Sequence, residues 1–408
     1  MSNLRAGVAV REITPPVGVD LTGYGGRPSG CTSIHDPLYA RALVLAEGAA
    51  TVALVSLDVL GISFALRDRL REHAATVGIP ASGLVLNASH THAGPVTQHL
   101  RGLGEPNDAC VERFFTLTCE AMTEAARSVQ PASLSTGRAA VRIGHNRRQH
   151  LVDGRTVIGR NRTGAIVPHA DILQVRRRDG SPLATWFAHA CHPTTLGGSN
   201  LAVSGEFPGV AARAVEEMGA GVGLFAQGCC GDINPTAAGT FDAVAQNGRT
   251  LATAVVDATA SLRDVEAPTL CSHLEVARLS LQPPPPRDVL EARIEEYQAA
   301  ADDGARDCVD QGKQGMLDAP LQWTRAVHDV AYANGPAPTT LAVEVQALRI
   351  GDVGLITMPG DVFADVGNRI EAASPFRQTT ALAYTNGCHG YVPTAGAYAE
   401  GGGRIRGG

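Results

Sequence analysis

The chain has 408 residues, 44% apolar and 18% charged, with a formal net charge of −6. That length buries a large core without a disulfide or metal staple. The absence of a large basic cluster argues against nucleic acid or an anionic membrane as partner.

No apolar run approaches the ~20 residues of a membrane span, and the opening segment lacks an export signal's apolar stretch. Nine cysteines without a C-x-x-C pair fit reduced thiols. A cytoplasmic protein with no membrane anchor is expected.

Taken in chain order, Thr51–Ser56, Gly83–Leu86, Ile172–Val175 and Gly221–Phe225 read as strands. Ser63–Ala75, Asp108–Ser128, Gly205–Met218 and Asp242–Ser261 read as helices. The alternation predicts an α/β (α+β) fold, a mixed sheet core covered by helices. Pro283–Pro286 is a rigid break. Beyond it, Arg287–Ala301 and Leu321–Ala333 are expected as helices joined by a mostly polar Asp302–Pro320. Strand signals return at Thr340–Ile350 and Val353–Ile356, so 285–335 reads as a helical insertion, either a structural hairpin or a lid. One catalytic domain over 1–400 is expected, with 401–408 a flexible glycine-rich tail.

Chemistry concentrates where apolar strands end. Ser89-His90-Thr91-His92-Ala93-Gly94-Pro95 follows the Gly83–Leu86 strand, and in extended chain residues i and i+2 share a face. Two imidazoles leaving a strand together can bind a divalent ion, or one can bind while the other moves protons; two hydrogen-bonded surface histidines are the plain alternative. A second pair, His189 and His192, ends another apolar strand. His189 reads as a core histidine or an alternative ligand. Further loops are Gly23-Tyr24-Gly25-Gly26-Arg27, Gln227–Pro235, Met358-Pro359-Gly360-Asp361 and Asn386–Pro393. Two histidines and a carboxylate from separate strand ends suit a catalytic zinc site. Such a site would bring the pKa of a bound water from ~16 toward ~7.

Thr14-Pro15-Pro16-Val17-Gly18, the Gly23–Arg27 and Ser89–Pro95 segments, His192-Pro193-Thr194, Gly231-Asp232-Ile233-Asn234-Pro235, Met358–Asp361 and Gly390-Tyr391-Val392-Pro393 occur in this order. As a set they resemble the catalytic domain of the neutral/alkaline ceramidase family, a group of zinc amidases, over about residues 5–400. The resemblance implies Zn2+ held by His90, His192, Asp361 and Tyr391. It makes His92 the acid that protonates a leaving amine, Arg147 an oxyanion or carbonyl clamp, and Tyr398 a second active-site phenol. Gly25, Asn234 and His389 are candidate substrate-binding residues. Asp58 and Asp232 are candidate partners of a ligating imidazole.

The chain departs from the family pattern in several places. Asn234 stands where ceramidases have a serine, so no serine nucleophile is available there. Asp361 replaces a glutamate, shortening the ligand by one methylene. Cys388 replaces the first tyrosine of an Asn-x-Tyr-x-x-Tyr segment, leaving Tyr391. No counterpart of the family's immunoglobulin-like C-terminal domain is expected. The expected function is a zinc-dependent amidohydrolase cleaving, or in reverse forming, the amide of a small N-acyl amine or lactam. A lactone or ester hydrolase on the same zinc site, and a catalytically silent binding protein, are the alternatives.

Overall fold

A computed structural model describes residues 3–266, 268–307, 310–333 and 335–401. Its centre is a nine-stranded mixed sheet. Eight of its strands are β1 (Arg5–Glu12), β2 (Tyr39–Glu47), β3 (Ala50–Leu57), β4 (Leu84–Ala88), β5 (Gln130–Ala140), β6 (His169–Arg177), β7 (Pro182–His189) and β8 (Val222–Gln227). They lie in the order β8-β7-β6-β5-β1-β2-β3-β4, and a short strand, Arg263–Asp264, pairs with β5. Only the terminal pairs are parallel: β3 with β4, from Ala53↔Leu84 to Leu57↔Ala88, and β7 with β8, from Ala184↔Val222 to His189↔Gln227.

Side-chain alternation gives the sheet two apolar faces. Ala42, Val44, Ala53, Val55, Leu84 and Leu86 belong to one core, which also holds Leu66 and Leu70 of α1 (Phe64–Thr76), Phe114 and Met122 of α2 (Asp108–Arg127), Phe207 and Val215 of α3 (Glu206–Glu217), and Leu251 and Val255 of α4 (Phe241–Ala258). Ser63, Asn107 and Thr240 cap α1, α2 and α4 by accepting from the Leu66, Cys110 and Ala243 N–H groups. Leu43, Leu45, Val52, Leu54, Val85 and Trp186 face the other way, onto a second core.

That second core rests on a four-stranded sheet not foreseen from the sequence. Its strands are β9 (Leu270–Ser280), β10 (Thr340–Ile350), β11 (Val353–Thr357) and β12 (Gln378–Leu382), in that order. Leu270, Leu348, Ile350, Val353, Leu355 and Leu382 supply its apolar side. The fold is thus mixed α/β, with helices on one face of the large sheet and a second sheet on the other.

The insertion is more helical than expected. Its helices α5 (Arg287–Arg306) and α6 (Gln311–His328) take up most of the 302–320 stretch read as a polar connection. Asp310 caps α6 by accepting from Lys313 N–H. Pro320 sits inside α6, and a π-turn over Asp329–Ala333 ends it. Residues 402–408, most of the tail, lie outside the described residues. The eight described cysteines are free thiols. Among the described residues no helix is long and apolar enough to cross a membrane.

Candidate metal and catalytic site

The loops that carry the candidate residues leave the C-terminal ends of β4, β7, β8, β11 and β12, and three of these ends are locked by one carboxamide. Asn87 Oδ1 accepts from Gln227 N–H at 2.7 Å; its Nδ2 donates to Ala383 O at 2.9 Å and to Thr385 Oγ1 at 2.9 Å. The side-chain amide reinforces the isolated bridges Asn87↔Thr385 and Gly228↔Leu382, which alone, among the described residues, pair these strand ends through the backbone ladder. Gln227 extends the lock: its Nε2 donates to Ser89 O at 3.0 Å and Cys191 O at 2.9 Å, holding the backbone beside both histidine loops. Ligand sites of α/β sheets form at such carboxyl ends.

His90, His92, His192 and Asp361 are all buried. His90 Nδ1 lies 2.7 Å from Leu60 O, and His192 Nδ1 lies 2.7 Å from Cys230 O. A carbonyl only accepts, so Nδ1 carries the proton in both rings and each neutral Nε2 presents a lone pair. These lone pairs converge. His90 Nε2 is 3.2 Å from His92 Nε2, and His192 Nε2 is 3.4 Å from Asp361 Oδ2. Candidate ligand atoms of His90, His92 and His192 lie within 4.8 Å of one another, as do those of His192, Cys230 and Asp361. The Arg147 guanidinium also reaches His192 Nε2, at 3.4 Å, so the cluster already holds one fixed cation beside these nitrogens and the carboxylate. Histidines anchored through the other nitrogen to a backbone carbonyl are the usual support of a metal ligand. The donor set therefore fits a divalent ion.

Electrostatics agree with that fit. Burial, with the neighbouring His192, pushes the His90 pKa down to about 3, keeping its imidazole neutral. Burial opposes ionisation of Asp361, but His192, His90 and Arg147 outweigh it and hold the carboxyl below its ordinary range. Arg147 is itself buried: Nη2 donates to Gly231 O at 2.5 Å and to the Tyr391 hydroxyl at 3.2 Å, and Nη1 donates to Asn234 Oδ1 at 2.9 Å. The backbone is strained at the same place. His90, Tyr384 and Asn386 have φ of 65°, 48° and 59°. Non-glycine residues enter that region at a cost of roughly 1–3 kcal/mol.

Tyr384 is the main residue that sequence reasoning missed. Its ring stacks on His90 at 3.8 Å, and its hydroxyl donates to Asp361 Oδ1 and lies 3.4 Å from His192 Nε2. Burial, then Asp361, raises its pKa well above the ordinary value, so the phenol stays a donor. The signal was available: Tyr384 follows the apolar end of β12 as His90 follows β4. Cys230 also enters the cluster, its Sγ 3.5 Å from the Tyr384 hydroxyl.

The remaining candidates divide. Tyr391 pairs with Asp361 across a short parallel bridge and touches Arg147. Asn234 accepts from Arg147 and lines an open groove of about 340 Å3 with His145, Ile158, Arg160, Thr194 and Thr236. A larger cavity, about 680 Å3, lies away from the cluster beside α2, among Arg11, His73, Phe115 and Glu120. His389 packs against Phe64 at 4.5 Å. Gly25 faces Gly102 O and Met316 of α6, whereas Gly23, at φ 93°, is the glycine whose Cβ would collide with the His92 ring. Tyr398, on the short helix Ala395–Glu400, is 55% exposed, and no described contact joins its side chain to the cluster. Among the described contacts Asp58 supports no imidazole; it accepts from Tyr39 N–H at 2.9 Å and pairs with Arg41 at 3.4 Å. Asp232 instead accepts from Asn146 Nδ2 at 2.7 Å and Ala364 N–H at 2.8 Å, fixing the loop behind Arg147.

Residues 4–262 match a family model described as neutral/alkaline non-lysosomal ceramidase, N-terminal. The solved neutral ceramidase from Pseudomonas aeruginosa is similar, with TM-score 0.73 and 19% identity, over 97% of this chain and 69% of that one. A ceramidase complexed with C2 is similar, with TM-score 0.77 and 19% identity, over 99% of this chain and 72% of that one. At such identity the structural likeness speaks for the fold. No curated protein matches the chain.

Proposed function

The chain belongs to the neutral/alkaline non-lysosomal ceramidase family, whose membership implies an amide hydrolase of ceramide-like substrates, and from that premise we propose a zinc-dependent amidohydrolase acting on a small N-acyl amine or lactam. The carrying observation is the convergence of the His90 and His192 Nε2 lone pairs with the Asp361 carboxylate in a buried site. Zinc would be held by His90, His192 and Asp361 with Tyr391 as the fourth ligand; bound there, it would supply an acidic water and positive charge at the substrate carbonyl.

The protein's own groups then have separable tasks. Tyr384 fixes the Asp361 rotamer through its hydroxyl. Arg147 keeps Asp361 ionised and places positive charge where a carbonyl oxygen would gain negative charge. His92 carries the proton to the departing nitrogen. Arg27 Nη2 anchors its backbone by donating to His92 O at 2.7 Å. The groove beside Asn234 admits the substrate, and α6, with Met316 over Gly25 and Gly26, walls the opposite side. Because the barrier is shared by both directions, a dry pocket also permits amide formation. An ester or lactone would use the same groups with less need for His92.

Metal analysis of the purified protein, with turnover of N-acyl amines, ceramide, lactams and lactones, tests this reading. H192A should hold one zinc equivalent fewer than wild type and lose amide turnover with it. A wild-type protein that neither binds zinc nor turns over any amide would refute it.

A further inference from the structure

We propose that His169, Asp171 and Glu371 form a second divalent-metal site, structural in role and separate from the cluster at His90 and His192. Residues 169 and 171 lie at the start of β6, where the i, i+2 relation puts both side chains on one face. Glu371 comes from a helix, α7 (Ala364–Ala373), that packs on β12 of the second sheet. One potential ligand atom from each of the three lies within 4.8 Å of the others.

The spacing is that of ligands, not hydrogen-bond partners. His169 Nε2 is 3.6 Å from Glu371 Oε2 and 3.8 Å from Asp171 Oδ2. Both separations lie beyond hydrogen-bonding range. Two ligands on a tetrahedral ion at ~2.0–2.2 Å are separated by about 3.3–3.6 Å. His169 Nε2 is buried and has no hydrogen-bond partner among the described residues.

A second observation points to the same place. A small cavity of about 10 Å3 adjoins Asp171 and Glu371, and His189, Cys229 and Thr380 also line it. His189 Nδ1 donates to His169 O at 2.8 Å, which leaves Nε2 as its lone-pair side. That Nε2 and Thr380 Oγ1 are buried without a described partner, in residues only 2% and 3% exposed. The space suits one water-sized molecule. A water completing the ion's coordination would satisfy both orphaned atoms.

Charge is consistent with a divalent ion. Arg138 Nε donates to Asp171 Oδ1 at 2.7 Å and Nη2 to Glu371 Oε2 at 2.8 Å, so one guanidinium faces two carboxylates and a negative charge remains. An imidazole with two carboxylates selects zinc or manganese over calcium or magnesium. The ion would tie the large sheet, through β6, to α7 and so to β12, bracing the assembly that carries Asp361.

The test is metal stoichiometry by mass spectrometry after chelation, reloading with Zn2+ or Mn2+ and removal of excess. Wild-type protein should hold two ions. H169A and E371Q should hold one, H192A one, and H192A/E371Q none. In H192A, added Zn2+ should still raise the unfolding temperature, and E371Q should abolish that rise. H169Q, closer in size, replaces H169A if the latter does not fold. One ion in H192A that is lost with E371Q upholds this site even if the catalytic zinc reading fails. No ion in H192A, or stoichiometry unchanged by both H169A and E371Q, overturns it.

Discussion

His92 and Glu206 show how one buried side chain sets chemistry or stability. His92 Nε2 lies 3.2 Å from His90 Nε2, beside the proposed metal position and within reach of a group bound there. Amide nitrogen needs a proton to leave and an alkoxide needs it less. H92A should therefore lower amide turnover by about 10²–10⁴ and leave ester turnover within about tenfold. Equal losses on both substrates would remove His92 from the acid role. Glu206 is fully buried at φ 54°, accepting from Leu196 N–H at 2.9 Å in the loop after His192. Burial raises its pKa to about 7 from 4.5. Between those values the folded protein binds more protons than the unfolded chain, so stability falls as pH rises through that window, by on the order of 3 kcal/mol. E206Q cannot ionise. Its urea midpoint relative to wild type should rise from pH 5 to pH 8, and parallel midpoints would show that Glu206 ionises without cost.

At the scale of elements, the seam between β4, β8 and β12 carries the site, and Asn87 is its fastener. N87A would orphan the buried Gln227 N–H, whereas Ala383 O and Thr385 Oγ1 keep the hydrogen bond they make to each other. A loss of about 1–3 kcal/mol in urea unfolding is expected, with weaker metal binding, since an unsatisfied buried group costs about that much. A loss below about 0.5 kcal/mol would mean the strands need no such link. This seam also marks where the sequence stopped being legible. The helices α1–α4 and the strands β3, β4, β6 and β8 announce themselves by their apolar patterns, whereas β1, β2 and β5 were not read from the sequence; His90, His192 and Asp361 announce themselves by following apolar runs. Tyr384 also follows an apolar run, but its role emerges only when β12 meets β4, a contact between residues about 300 apart in sequence. The second sheet was hidden likewise: β9, mostly exposed and not among the strands read from the sequence, is defined by β10 pairing with it from Leu270↔Ile350 to Ser280↔Thr340. In the insertion, the mostly polar composition of 302–320 suggested a connection, but the Asp310 cap and α5–α6 packing prevail, with Pro320 accommodated inside α6.

For the whole molecule, ions at the sheet ends would act as cross-links that only the folded chain can bind. Chelation should lower the unfolding temperature by roughly several degrees, since a ligand at a thousand times its Kd adds about 4 kcal/mol. Reloading with Zn2+ should restore it; an unchanged melting curve would mean that neither cluster holds metal. The order of the donors along the polypeptide has a further consequence. His90, His192, Asp361 and Tyr391 are spread over about 300 residues, so a nascent chain that ends before Tyr391 lacks a usable set. Zinc capture would have to wait until β12 and the Tyr391 segment have threaded in beside their partners, so metal loading would report that the second sheet has docked.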